Sequence, residues 1–216
     1  MSEKEAIVTQ GHFDYLAART RPEDAFLAKL KAAARKAGIP AIWINPAQAG
    51  FMQILLKLVG AREVVEVGTL AGYSAIAMAR AVKPGGHVWT LELSDQFADF
   101  AETWVAKSDV ADRVRVLRGD ARETLPTISS GSADAMFLDA DKGGYPEYLK
   151  HAKRILRDGG LLMVDNAFAF GELLAKKPKD REVPAVRRFN DIMAKEKGFH
   201  AVIVPLGDGL WVGIRE

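Results

Sequence analysis

The sequence predicts an α/β chain: a doubly wound, mostly parallel sheet of seven strands that closes in an antiparallel hairpin. Three observations carry this. From Glu63 onward short apolar, often β-branched runs alternate with helical stretches, the pattern of βαβ units with helices on both faces of a parallel sheet. The last two runs, 199–204 and 210–214, are joined only by Pro205-Leu206-Gly207-Asp208-Gly209, so they pair antiparallel at a sheet edge. The composition, 49% hydrophobic and 27% charged, is that of an ordinary soluble domain.

The first 60 residues read as helical and as a cap on a core formed by residues 61–216, all in one domain. Pro22-Glu23-Asp24 opens a helix that runs to Gly38, with proline and acids suited to its first turn. Asn45-Pro46 caps another, whose Phe51, Ile54, Leu55, Leu58 and Val59 share one face. Strands follow at 64–67, 87–91, 114–117, 133–138 and 161–164. Helices fill 74–82, 94–107, 145–156 (ended by Asp158-Gly159-Gly160) and 183–197. Right-handed crossovers make this an open sheet, in which ligands sit beyond the carboxyl ends of the strands.

Composition excludes several chemistries. With no cysteine among 216 residues there is no disulfide framework, thiolate metal site or catalytic thiol. The net charge of +2 sets up no field for nucleic acid, and the basic group Lys176, Lys177, Lys179 and Arg181 reads as a solvated loop. No apolar run reaches the ~20 residues of a membrane span. The opening Met1-Ser2-Glu3-Lys4-Glu5 lacks the features of a signal peptide, so the expectation is a cytoplasmic chain. His12, His87, His151 and His200 are scattered and read as structural or surface residues, and the four tryptophans as core, with Trp43 and Trp211 flanking the ligand edge.

The strand ends carry the chemistry. After the first comes Glu66-Val67-Gly68-Thr69-Leu70-Ala71-Gly72-Tyr73-Ser74, a glycine turn without the G-x-G-x-x-G spacing of diphosphate binders. An acid at 66 repels a diphosphate but suits an ammonium group. Glu92 closes the second strand, where an acid can accept from both ribose hydroxyls of a nucleoside. Asp120, after the third, can meet an adenine amino group or cap the next helix, and the two readings stand side by side.

The fourth and fifth strands end in Asp139-Ala140-Asp141-Lys142 and Asp165-Asn166. Neighbouring strands lie ~4.8 Å apart, so Asp139, Asp165 and Asn166 can converge. An all-oxygen set suits Mg²⁺, Mn²⁺ or Ca²⁺ rather than zinc, and leaves about three of six positions open. Lys142 reads two ways: a base beside a bound cation, or a solvated lysine paired with Asp141, which spacing alone favours.

Taken in order, these motifs resemble the cation-dependent O-methyltransferases of the catechol and caffeoyl-coenzyme-A type, over almost the whole chain. The resemblance implies a Rossmann-like class I methyltransferase fold, S-adenosylmethionine as donor and a divalent cation, Mg²⁺ first, on Asp139, Asp165 and Asn166. It implies Lys142 as general base, with Asp139 at the reacting centre. Glu66, Gly68, Thr69, Tyr73, Ser74, Glu92, Ala121 and Asp141 would hold the donor, and Asp120 would flank the adenine. Ile42, Ile44 and Asn45 depart from the family pattern, leaving Ile44 only backbone or packing contacts. The expected substrate is a small vicinal dihydroxyaromatic and the expected assembly a homodimer, with no nucleic-acid or membrane partner. An alternative is a methyltransferase acting on another nucleophile, such as an RNA base or small amine.

Overall fold

The computed structural model describes residues 9–216, so the opening residues read for a leader lie outside the described part. Three helices come first: α1 (Gln10–Ala17), α2 (Ala25–Lys36) and α3 (Pro46–Leu58). Asp24 caps α2 from just outside it, its Oδ1 accepting from the backbone N–H groups of Phe26 and Leu27 at 3.0 Å. Leu27, Leu30 and Ala34 bury one α2 face. Asn45 caps α3 through the Gln48 N–H at 2.8 Å, with Pro46 in the first turn. α1 buries no residue and leaves Phe13, Tyr15 and Leu16 exposed.

The core runs β1 (Glu63–Val67), α4 (Tyr73–Ala79), β2 (His87–Glu92), α5 (Asp95–Ala106), β3 (Val114–Arg118), the short α6 (Ala121–Thr124), β4 (Ala133–Leu138), α7 (Tyr145–Ile155), β5 (Leu156–Val164), α8 (Val183–Met193), β6 (Phe199–Val204) and β7 (Leu210–Arg215). The seven strands lie in the order β3-β2-β1-β4-β5-β7-β6. The first five are parallel, and β7 runs antiparallel to both β5 and β6, as the hairpin expectation requires.

Alternating strand residues face two apolar layers, the period-2 consequence of the pleat. Val64, Val88, Ala135, Phe137 and Met163 pack with residues from α2, α3 and α4. Val65, Val67, Met136, Leu138 and Val164 pack with residues from α7 and α8. Among the described residues, no helix is long and apolar enough to cross a membrane.

The structure differs from the sequence reading at three boundaries: α4 stops at Ala79 rather than 82, α8 at Met193 rather than 197, and the start of β5 lies earlier. Asp158-Gly159-Gly160, expected to separate helix from strand, lies inside β5. Buried Leu156 already pairs with Ala133, and the register then shifts so that Ala135 meets Leu161. The intervening residues form an irregular bulge, with Gly159 at φ +70°, a conformation glycine adopts without a Cβ penalty.

Strand order reverses between β1 and β4, the switch point of the sheet. Register brings Val67 level with Leu138, and Leu138 level with Val164. The ladder continues one residue further: Asp139 N–H donates to Val67 O at 2.9 Å and Asp165 N–H to Leu138 O at 3.0 Å. Asp139 and Asp165 are thus fixed by sheet hydrogen bonds rather than carried on free loops.

Candidate active site

A cavity of about 940 Å³ opens at this end of the sheet. Gly68, Thr69, Ser74, Glu92, Asp120 and Ala121 are among the residues that line it. Gly68 sits at φ +102°, and a Cβ there would run into the backbone carbonyl of Asp139, so β1 and β4 approach this closely only with glycine at 68. Glu92 is 8% exposed; its Oε2 accepts from Leu70 N–H at 2.7 Å and its Oε1 from Ser94 N–H at 2.9 Å. Each oxygen keeps a further lone pair for a hydroxyl. Asp120 caps α6 through Arg122 N–H at 2.8 Å while still lining the cavity, so both sequence readings are compatible. Asp141 accepts from Tyr148 Oη at 2.5 Å and from Arg122 Nη2 at 2.9 Å on the same wall. Buried Ile44 and half-buried Trp43 come from the segment before α3.

Two expected donor-contact side chains do not reach the cavity. Glu66 is fully buried beneath its floor. Its Oε2 accepts from Thr90 Oγ1 at 2.5 Å, and Thr90 bonds Thr69 Oγ1 at 2.6 Å, while among the described residues Glu66 Oε1 has no partner at full hydrogen-bond geometry, with Ser74 its nearby hydroxyl. Burial pushes this carboxyl up to about 8, with the charges of Asp139 and Glu92 adding to it. The pleat accounts for this: residue 66 alternates with Val65 and Val67 and points into the layer beneath the glycine turn. Tyr73, the first residue of α4, also faces away from the cavity, its Oη donating to Glu23 Oε1 at 2.9 Å. Trp211 is a third correction: it is a core residue whose Nε1 donates to Asn190 Oδ1 at 2.7 Å, whereas Trp43 does border the cavity.

Asp139, Asp165 and Asn166 line the same cavity. Among the described residues no three His, Cys, Asp or Glu side chains gather as a metal cluster, and the oxygen donors side by side here are two carboxylates and the Asn166 amide. Burial, and then the neighbouring Asp139 charge, push Asp165 up to about 7. Two carboxylates brought together in this way fit a hard divalent ion, which oxygen ligands without sulfur or imidazole also favour.

Lys142 corrects the reading that spacing favoured. It is 5% exposed, not solvated, and its partner is not Asp141. A turn of 3₁₀ helix at Lys142–Gly144 folds it back, so that Nζ donates to Asp139 Oδ1 at 3.0 Å and to Tyr145 Oη at 2.8 Å. Burial works against the ammonium, but Tyr145 and Asp139 outweigh it and hold Lys142 above the ordinary lysine value. Burial also pushes the Tyr145 phenol upward, so that contact is a hydrogen bond to a neutral hydroxyl and the charge on Lys142 answers to Asp139.

Several cavity residues have no counterpart in the sequence reading. Gln48 donates from Nε2 to Asp165 Oδ1 at 2.7 Å, and Asp208 accepts from Asn166 Nδ2 at 3.1 Å. Phe170 and Glu182 border the same space. Gln48 is far from Asp165 in the chain, and no local pattern signals the pairing. For Asp208 the glycines on either side were the available signal.

Comparison with known proteins decides the family. Residues 17–216 match the family described as O-methyltransferase. The chain belongs to this family. Like it, this O-methyltransferase is similar to a catechol O-methyltransferase of Niastella koreensis, 36% identical over 90% of this chain and 86% of the relative. A catechol O-methyltransferase of Mycobacterium tuberculosis is 37% identical over 84% of this chain and 82% of its own. Among solved structures, the O-methyltransferase from Bacillus cereus in complex with SAH superposes with a TM-score of 0.86 at 32% identity, covering 95% of this chain and 97% of that one. The enzyme transfers a methyl group to oxygen, and its mostly parallel sheet with antiparallel C-terminal strands is the one the sequence led us to expect.

Proposed function

We propose that this O-methyltransferase takes its methyl group from S-adenosylmethionine and delivers it to one hydroxyl of a vicinal dihydroxyaromatic, with a divalent cation on Asp139, Asp165 and Asn166. The observation that carries the reading is the cluster of two carboxylates and an amide at the ends of adjacent strands, beside buried Lys142, in the cavity that Glu92 also lines. The names of the relatives, catechol O-methyltransferase, and the SAH bound to the Bacillus cereus enzyme support the substrate class and the donor.

The donor supplies an electrophilic methyl on a sulfonium, and the cation, when bound, supplies a Lewis acid that lowers the pKa of a hydroxyl. The chain does the rest. Glu92 accepts from the ribose, and the Gly68–Ser74 turn gives the donor close backbone approach. Ile44 and Trp43 line the cavity with apolar surface, which strengthens the electrostatic contacts beside it. Lys142 Nζ takes the hydroxyl proton. To do so it must first have given its own proton to solvent, and Asp139, 3.0 Å away, is the carboxylate that opposes that loss. A cation held on Asp139 would offset that charge and favour neutral Lys142.

Metal-free enzyme with donor and catechol tests this directly. Turnover should be absent in excess chelator and return with Mg²⁺ or Mn²⁺. Full activity in chelator would remove the cation from the account.

A further inference from the structure

We propose that Gln48 and Asp208 are positioning residues that decide which ligand oxygens face the cation. Gln48 ties back one oxygen of Asp165, and Asp208 ties back the amide nitrogen of Asn166. This rests on the cation reading above and goes beyond it.

Gln48 lies in the first turn of α3 and is 1% exposed. Its Nε2 reaches Asp165 Oδ1 at 2.7 Å across the sheet end. A carboxylate that ligates a cation only accepts hydrogen bonds, so the atom Gln48 presents to it must be the NH₂ group. One lone pair of Oδ1 is thereby taken from the α3 side, which turns the balance of the carboxylate's free lone pairs toward Oδ2. With its donor so used in a buried site, Gln48 holds the carboxylate to a single rotation.

Asn166 poses the complementary problem. Its amide carries one oxygen that ligates and one nitrogen that does not, and a half-turn about the last side-chain bond exchanges them. Asp208 Oδ2 accepts from Asn166 Nδ2 at 3.1 Å, which sets the nitrogen against the carboxylate and turns the amide oxygen the other way. The same Asp208 accepts Phe170 N–H at 2.7 Å and Gly171 N–H at 3.0 Å. It thus gathers three donors from a loop in which Asn166, Ala169 and Phe170 all have positive φ, at 65°, 53° and 59°. Such backbone persists in non-glycine residues only where surrounding contacts over-determine it.

One turn delivers both effects. Gly207, at φ +63°, fits directly against Gln48 Oε1, where a Cβ has no room. The β6–β7 turn therefore meets Gln48 with residue 207 and Asn166 with residue 208. A metal ligand held by an outer hydrogen-bond partner typically loses 10–100-fold in affinity when that partner is removed.

The test is Mn²⁺ binding to the full chain, followed by electron paramagnetic resonance with metal alone, on wild type, Gln48→Leu, Asp208→Asn and Asp165→Asn. S-adenosylmethionine affinity by calorimetry and thermal melting are measured on the same preparations. The expected result is Mn²⁺ binding weakened at least ~10-fold in Gln48→Leu and in Asp208→Asn, with a changed Mn²⁺ spectrum and donor affinity within about twofold of wild type. If Asp208→Asn fails to fold, Gln48→Leu alone carries the comparison, with Gln48→Glu as a second variant that places a repelling charge against Asp165. Folded Gln48 variants that bind Mn²⁺ like wild type, while Asp165→Asn does not, overturn the positioning role and leave the cation site standing. Wild type that binds no Mn²⁺ overturns both.

Discussion

Lys142 Nζ stands 3.0 Å from Asp139 Oδ1, two groups that the proposed reaction requires in different states. Asp139 directly follows β4 and Lys142 opens the 3₁₀ turn three residues later, so the backbone presents the two side chains to each other. The ammonium is dependent on a carboxylate that the proposed cation also needs. Lys142→Ala should therefore lower kcat by ~10²–10⁴, the usual contribution of a general base, with little change in donor affinity. Single-turnover kinetics beside donor calorimetry checks this; near-wild-type turnover at neutral pH would leave Lys142 a structural partner of Asp139.

Glu92 gives the donor prediction. Replacing it with alanine should weaken S-adenosylmethionine binding by roughly 1.5–3 kcal/mol, the range for hydrogen bonds to a charged group. Because Glu92 also accepts from Leu70 and Ser94, the glycine turn should loosen too, and thermal melting separates that effect from lost ribose contacts. Unchanged affinity in a folded variant would remove Glu92 from the donor site.

Glu66 makes stability depend on pH. Folded, its carboxyl holds the proton up to about 8; released into the unfolded chain it titrates near 4.5. Between those values the folded state binds more protons, so each pH unit upward costs it at most about 1.4 kcal/mol. The contribution is whole below 4.5 and lost as pH rises through 8. Glu66→Gln removes the titrating group. Its urea midpoint should match wild type near pH 4 and exceed it near pH 9. Parallel midpoints across that range would mean that Glu66 is ionised in the fold.

The sheet, its switch point and the oxygen cluster were legible in the sequence because each is a local signal repeated in order. β-branched runs ending in glycine or acid place Gly68, Glu92, Asp139 and Asp165 at strand ends without further information. What was hidden depends on direction and distance. Which way Glu66 and Tyr73 point is set by the pleat and by the helix that α4 packs on, not by their neighbours in the motif. Lys142 could pair with Asp141 or Asp139, and only the 3₁₀ turn decides it. Gln48 meets Asp165 through the packing of α3 on the core, which no periodicity encodes.

The central claim is that two adjacent substrate oxygens are held at the Asp139, Asp165 and Asn166 cluster while one is methylated. Steady-state kinetics on a catechol and its matching monophenol, with Mg²⁺ present and product position assigned by NMR, tests it most directly. A monophenol loses the second anchor and with it the alignment of its oxygen, worth several kcal/mol in favourable cases. The account predicts at least ~10²-fold higher kcat/KM for the catechol, about 2.7 kcal/mol in transition-state stabilisation, and a mono-ether as product. Equal kcat/KM for the two members of the pair would contradict it.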